Sequence, residues 1–237
     1  MNIALILAAG SGSRMGNTSK PKQFLSIYNK PLIVHTIEAF EMHEDIDSII
    51  IVTNDTYIDQ VKIWCKQYDL SKVKYVVQGG SSRQESVYNG IKYLEKKGIE
   101  DEDIILIHDA ARPLISQTII TENIEACKKY HAVDTVIPSS DTIIRSVDKE
   151  TICEIQKRSE QYQGQTPQSF TFKVINDAHN YAKETNNTET TDDCRLVLNM
   201  GHEVHLVNGS KLNFKITTFD DLMMLKALLK IGKIEVI

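Results

Sequence analysis

Cysteine is sparse. The four residues, Cys65, Cys127, Cys153 and Cys194, are scattered without C-x-x-C spacing, so neither a disulfide framework nor a zinc site is indicated and a reducing, cytoplasmic setting is expected. No apolar run approaches the ~18 residues of a membrane span, and no basic segment with a cleavage site precedes the first apolar run, so no membrane partner and no targeting are expected. Positive charge is not in excess: 27 Lys and Arg against 32 Asp and Glu give a net charge of -5. That argues against a nucleic-acid partner and leaves anion recognition to local cations. There is no internal repeat, and residues 184–191 (ETNNTETT) form the one strongly polar loop. What remains is 237 residues, enough to bury roughly 70 to 75% of the unfolded chain's surface in a single domain, 1–237, without staples.

The chain is organised around its first 25 residues. Ile3 to Leu7 are apolar without interruption, the pattern of a strand buried on both faces of a parallel sheet. Gly10, Gly12 and Gly16 follow, with Arg14 among them and Lys22 after a polar gap. Glycines let the backbone turn sharply and bring N–H donors close to an anion, and two fixed cations suit a triphosphate whose charge grows during reaction. The spacing is G-x-G-x-x-x-G with no G-K-[ST], which weakens both a dinucleotide-binding reading, as in an NAD-dependent oxidoreductase, and a P-loop reading.

Helical and strand signals then alternate: a helix over 31–42, a strand over 48–53, a helix over 56–68, a strand over 73–77, a helix from the 78–87 turn to about 97, and a strand over 103–107. Strands joined by crossover helices predict an α/β fold with a doubly wound, mainly parallel sheet, its ligand crevice beyond the strand C-termini. After a helix over 117–130 the rhythm breaks into short β-branched stretches at 133–138, 141–147 and 151–155, read as a β-arm over 138–160. Helices over 172–183, 192–200 and 220–229 and strands over 203–207 and 214–216 complete the chain.

Polar residues gather at the strand ends. Gly80, Arg83 and Ser86 open a helix, suited to an anion or a base edge, or equally to an N-capped helix with exposed charge. Asp109 after a buried strand could hold Mg²⁺ together with nucleotide phosphates, or could cap the next turn. Arg112 reads as an anchor for its loop, and His108 as a packing or hydrogen-bonding residue rather than a base. The stretch 163–168, with Pro167, reads only as loop. Asp192 and Asp193 read as helix-capping and first-turn acids, and Lys215 as a strand lysine of the usual solvated kind.

Eight ordered motifs, LAAGSGSRM (7–15), PKQFL (21–25), GGSSRQESV (79–87), HDAARP (108–113), DT (141–142), TPQSF (166–170), TDD (191–193) and NFKIT (213–217), resemble the cytidylyltransferases that act on 2-C-methyl-D-erythritol 4-phosphate or D-ribitol 5-phosphate. The resemblance covers nearly the whole chain. It implies a Rossmann-like nucleotidyltransferase fold, transfer of CMP from CTP to a polyol phosphate with release of pyrophosphate, Mg²⁺ as cofactor, and a homodimer whose arms exchange. Arg14, Lys22 and Lys215 then resemble the catalytic cations. Ala8, Ala9, Gly10, Gly12, Gly80, Arg83, Ser86 and Asp109 resemble the nucleotide site, with Asp109 at its metal end, and Thr142, Arg158 and Thr191 resemble the acceptor pocket. One departure is that Ser81 and Ser82 follow the GG pair where the family often has an acidic residue. LAAGSGSRM and HDAARP lean toward methylerythritol phosphate, whereas AVDTV (132–136) and YQGQ (162–165) lean toward ribitol phosphate. Methylerythritol phosphate is the favoured acceptor, and CDP-ribitol synthesis is the alternative.

Overall fold

The computed structural model describes residues 1–10, 20–187 and 190–231. The strands are β1 (Asn2–Ala8), β2 (Ser26–Ile27), β3 (Lys30–Pro31), β4 (Ser48–Thr53), β5 (Val73–Gln78), β6 (Ile104–Asp109), β7 (Ala132–Pro138), β8 (Ile144–Arg145), β9 (Glu154–Ile155), β10 (Tyr162–Thr171) and β11 (His205–Asn208). The helices are α1 (Leu32–Glu41), α2 (Ile58–Gln67), α3 (Arg83–Lys96), α4 (Gln117–Tyr130), α5 (Phe172–Glu184), α6 (Asp193–Asn199) and α7 (Phe219–Ile231). Seven strands form one sheet in the order β11-β7-β10-β6-β1-β4-β5.

The apolar runs explain the centre of that sheet. β1 pairs in parallel with β4 on one side and β6 on the other, and its inner residues need apolar side chains on both faces because helices cover both. Ala4, Ile6 and Ala8 pack against α1, α2 and α4 through Ile33, Ile37, Val61 and Ile120. Ile3 and Leu5 face the opposite way, against α3, α5 and α6 through Val87, Ile91, Ile175 and Val197. The alternation along one strand thus builds two cores and three layers. A third cluster joins Ile27 and Leu32 to Leu222 and Leu225 of α7.

The structure corrects the reading of 163–168 as loop. Those residues lie in β10, which is antiparallel to both β6 and β7 and has a register break between Gly164 and Gln168. A proline has no N–H for a sheet ladder, and the break is where the sheet tolerates it. Side chains occupy the carbonyls there: Thr135 Oγ1 donates to the Pro167 carbonyl at 2.6 Å and Asn213 Nδ2 to the Thr166 carbonyl at 2.8 Å. Residues 214–216 are not a strand, although the Ile216 N–H still donates to the Ala111 carbonyl at 2.8 Å. The arm is present as the β8–β9 hairpin, with strands of only two residues and with Ile144, Val147, Ile152 and Ile155 exposed.

Candidate active site

The C-terminal ends of β1, β4, β5 and β6 open onto one cavity of about 620 Å³. It lies where the chain order reverses: β4 and β5 extend from one edge of β1 and β6 lies on the other, the place where open α/β sheets bind ligands. Ala9 and Gly10 after β1, Asn54 after β4, Gly80 after β5 and Asp109 at the end of β6 all line it, joined by Lys22, Arg83, Ser86, Thr191 and Lys215.

The turn after β5 is held by a short hydrogen-bonded circuit. The Gly80 N–H donates to Ser86 Oγ at 3.0 Å, and that hydroxyl donates to the Ser82 carbonyl at 2.8 Å. Ser82 caps α3 by accepting from the Glu85 N–H at 3.0 Å, and Glu85 Oε2 accepts from both the N–H and the hydroxyl of Ser81 at 2.6 Å. Gly79 has no alternative residue at this approach, since a Cβ there would stand 2.6 Å from that of Ala9 and 2.9 Å from Ser86 Oγ. The turn after β1 is tied down by Gln23, whose amide donates to the Ala8 carbonyl at 2.6 Å and the Gly10 carbonyl at 2.8 Å. Ala8, expected at the nucleotide site, is buried at the end of β1 and does not line the cavity.

Two ion-pair systems set the charge. Lys215 Nζ lies 2.9 Å from Asp109 Oδ2, and Arg112 Nε lies 3.4 Å from the same oxygen while its Nη1 donates to the Asn213 carbonyl at 2.8 Å. Burial alone would push the Asp109 carboxyl up, but Lys215, Arg83 and Arg112 outweigh it and hold the group well below the usual carboxylate range. On α3, Arg83 Nη1 lies 2.6 Å from Asp193 Oδ2, and His179 Nε2 lies 3.1 Å from the other oxygen. Gln168 connects this pair outward: its Oε1 accepts from the Asp193 N–H at 3.3 Å, and its Nε2 donates to Asp134 at 3.1 Å and Asp192 at 3.0 Å.

The sequence expectations fall into three groups. Ala9, Gly10, Lys22, Gly80, Arg83, Ser86, Asp109, Thr191 and Lys215 are brought to one cavity. Thr142 and Arg158 do not line it; both are exposed on the arm. Gly12 and Arg14 lie outside the described residues. His108 is buried between the Thr166 hydroxyl and the Arg112 carbonyl, each at 3.1 Å, and burial lowers its pKa to about 4, consistent with a hydrogen-bonding rather than a basic role. Lys215 is not the solvated strand lysine its local sequence suggests. Gln23 and Asn54 line the cavity without having been singled out; for Asn54 the available signal is its place immediately after the buried strand 48–53, the position that marks Asp109 and the glycine turns.

Among the described residues no group of three or more His, Cys, Asp or Glu side chains converges as a protein-only metal cage. Asp109 is a single carboxylate beside cations, which fits a hard ion that takes most of its ligands from phosphate oxygens and water.

A family model described as 2-C-methyl-D-erythritol 4-phosphate cytidylyltransferase matches residues 2–231. A solved 4-diphosphocytidyl-2C-methyl-D-erythritol synthase is 31% identical with a TM-score of 0.79, the match covering 96% of this chain and 97% of that one. The synthase of that name from Anaerococcus prevotii is 28% identical with a TM-score of 0.81, covering 97% and 96%. The 2-C-methyl-D-erythritol 4-phosphate cytidylyltransferase from Thermus thermophilus is 26% identical with a TM-score of 0.76, covering 97% and 100%. A doubly wound sheet with cations and a carboxylate at its switch point, and a match over nearly all its length, lead to one conclusion: the chain belongs to the 2-C-methyl-D-erythritol 4-phosphate cytidylyltransferase family of CTP-dependent nucleotidyltransferases.

Proposed function

We propose that the cavity at the ends of β1, β4, β5 and β6 is where CTP and 2-C-methyl-D-erythritol 4-phosphate react. A phosphate oxygen of the acceptor attacks the α-phosphorus of CTP, the bond from that phosphorus to the bridging oxygen breaks, and pyrophosphate leaves. The attacking phosphate is already an anion at neutral pH, so alignment and charge neutralisation carry the catalysis and no strong base is needed. The observation that carries this reading is the convergence of Lys22, Arg83 and Lys215 on a cavity in which Asp109, the one lining carboxylate among the described residues, stays ionised.

In this reading Lys22, Lys215 and Arg14 stabilise charge on the phosphates, while Gly80 and Ser86 present the turn that receives the nucleoside. The side chain of Thr191, on the same cavity wall, hydrogen-bonds the acceptor. Asp109 would hold Mg²⁺, which when bound supplies charge neutralisation between phosphate oxygens. Thr142 and Arg158 serve the acceptor pocket of a second copy in a homodimer. The support for that dimer is the hairpin itself: a short two-stranded element with five exposed Ile and Val side chains, Ile143 among them, is unstable in isolation and needs a surface to cover it. No helix among the described residues is long and apolar enough to cross a membrane, which is compatible with a cytoplasmic enzyme. The direct test is pyrophosphate release that requires both CTP and the acceptor; release with CTP and water alone would contradict the reading.

A further inference from the structure

Adjacent residues on the first turn of α3 grip both ends of the segment that carries Thr191. Gln84 Nε2 donates to the Asn187 carbonyl at 2.7 Å, and Gln84 Oε1 accepts from the Thr190 N–H at 2.9 Å. Arg83 closes the other end through Asp193 at 2.6 Å. Thr190 reinforces the join, since its hydroxyl donates to the Asp192 carbonyl at 3.0 Å. Gln84 is 6% exposed and Thr190 8%, so the bond between them is buried, where a lost partner is costly, while the bond to the Asn187 carbonyl is half-buried.

The two residues differ in what they touch. Arg83 lines the cavity; Gln84 does not, and both polar atoms of its side-chain amide are spent on the backbone of the 187–190 stretch. An amide has both a donor and an acceptor, and here the two satisfy one carbonyl and one N–H on either side of two intervening residues. A helix that opens the nucleotide turn is thereby fastened to the segment whose next residue, Thr191, faces the same cavity.

We propose that Gln84 is a positioning residue that couples the nucleotide turn to the acceptor side of the site, fixing where Thr191 stands relative to Gly80 and Ser86. The inference rests on the reading of Thr191 as an acceptor contact. Gln84 touches neither substrate. Its effect falls on the acceptor, because the turn keeps its own circuit through Ser82, Ser86 and Glu85 when Gln84 is changed.

The test compares Gln84→Met, which keeps the length and removes both hydrogen bonds, with Gln84→Glu, which keeps an acceptor for the Thr190 N–H. Gln84→Met should raise the KM for 2-C-methyl-D-erythritol 4-phosphate about tenfold, the scale of one to two net hydrogen bonds. The KM for CTP should stay within about twofold. Amide exchange at Thr190 should quicken, and Gln84→Glu should recover part of both effects. A joint rise of both KM values, or no change in either, overturns the coupling, and a melting temperature measured alongside identifies a variant that has simply lost its fold, in which case Gln84→Glu decides. Thr191→Val separates the two readings. A raised acceptor KM there with an unchanged one in Gln84→Met overturns the role of Gln84 alone; an unchanged acceptor KM there overturns the assignment of Thr191 and the coupling with it.

Discussion

Lys215 Nζ stands 2.9 Å from Asp109 Oδ2, so a strand-end carboxylate and a distant lysine already share the cavity as a pair. Arg112 braces the same oxygen from below at 3.4 Å. The lysine of this pair lines the cavity in which the proposed reaction would place the triphosphate, and Arg112 pairs with the same carboxylate.

Removing Lys22 or Lys215 from the cavity should act on turnover more than on binding. Lys22→Ala and Lys215→Ala should each lower kcat by two or more orders of magnitude, since loss of one preorganised donor to developing charge costs about 3 to 4 kcal/mol. CTP affinity should fall less. Steady-state kinetics at saturating substrates checks this, and an affinity loss with unchanged kcat would mean that the lysines only bind.

Asp109→Asn keeps the shape of the side chain and removes its charge. Activity across a Mg²⁺ titration should be abolished while the circular dichroism spectrum is retained, because the metal would lose the carboxylate proposed to hold it. Wild-type activity at every Mg²⁺ concentration would remove Asp109 from the metal site.

If the arm serves a neighbour, inactive subunits can rescue one another. Mixing Lys22→Ala with Arg158→Ala protein should regain activity after subunit exchange, because one of the two sites in a heterodimer then receives both native residues. Sedimentation as a monomer, or no rescue, would contradict the exchanged arm.

Asp134 makes a prediction about stability. Burial pushes its carboxyl up to about 7, with Asp192 adding repulsion, against the opposing hydrogen bond from Gln168. Below about pH 4 the folded and unfolded chains both hold this proton. Between about 4 and 7 only the folded chain does, so stability from this group falls as pH rises through that window. Asp134→Asn should remove that slope, and the difference in melting temperature between variant and parent should grow in the variant's favour from pH 4 to pH 7. A difference that is flat with pH would place the carboxyl at an ordinary pKa.

Much of this architecture was legible because the sheet is buried on both faces. β1, β4 and β6 are written around unbroken apolar runs, with Gly10 just after the first and Asp109 closing the last, while the Gly79-Gly80 turn follows β5. β10 was not legible: Gln163 to Gln168 with Pro167 carry no apolar alternation. The burial of Gln165 to Gln168 depends on partners distant in sequence, with Thr135, Asn213 and His108 reaching the register break. Lys215 was read locally as a solvated strand lysine, and its pairing with Asp109 exists only once α/β packing brings the two segments together. The Arg83–Asp193 pair is similar: a first-turn acid explains Asp193 locally, yet the residue is fully buried between an arginine and a histidine.

The acceptor is the sharpest point of the account. Methylerythritol phosphate and ribitol phosphate both present a phosphate dianion and several hydroxyls, and a difference of one methyl or hydroxymethyl unit in a pocket supports only a ~10 to 200-fold preference unless a polar group is left unpaired. The decisive measurement is kcat/KM for pyrophosphate release at saturating CTP with 2-C-methyl-D-erythritol 4-phosphate and with D-ribitol 5-phosphate. A preference for methylerythritol phosphate, with weaker but measurable turnover of ribitol phosphate, is the expected result; a preference for ribitol phosphate above about tenfold would contradict it.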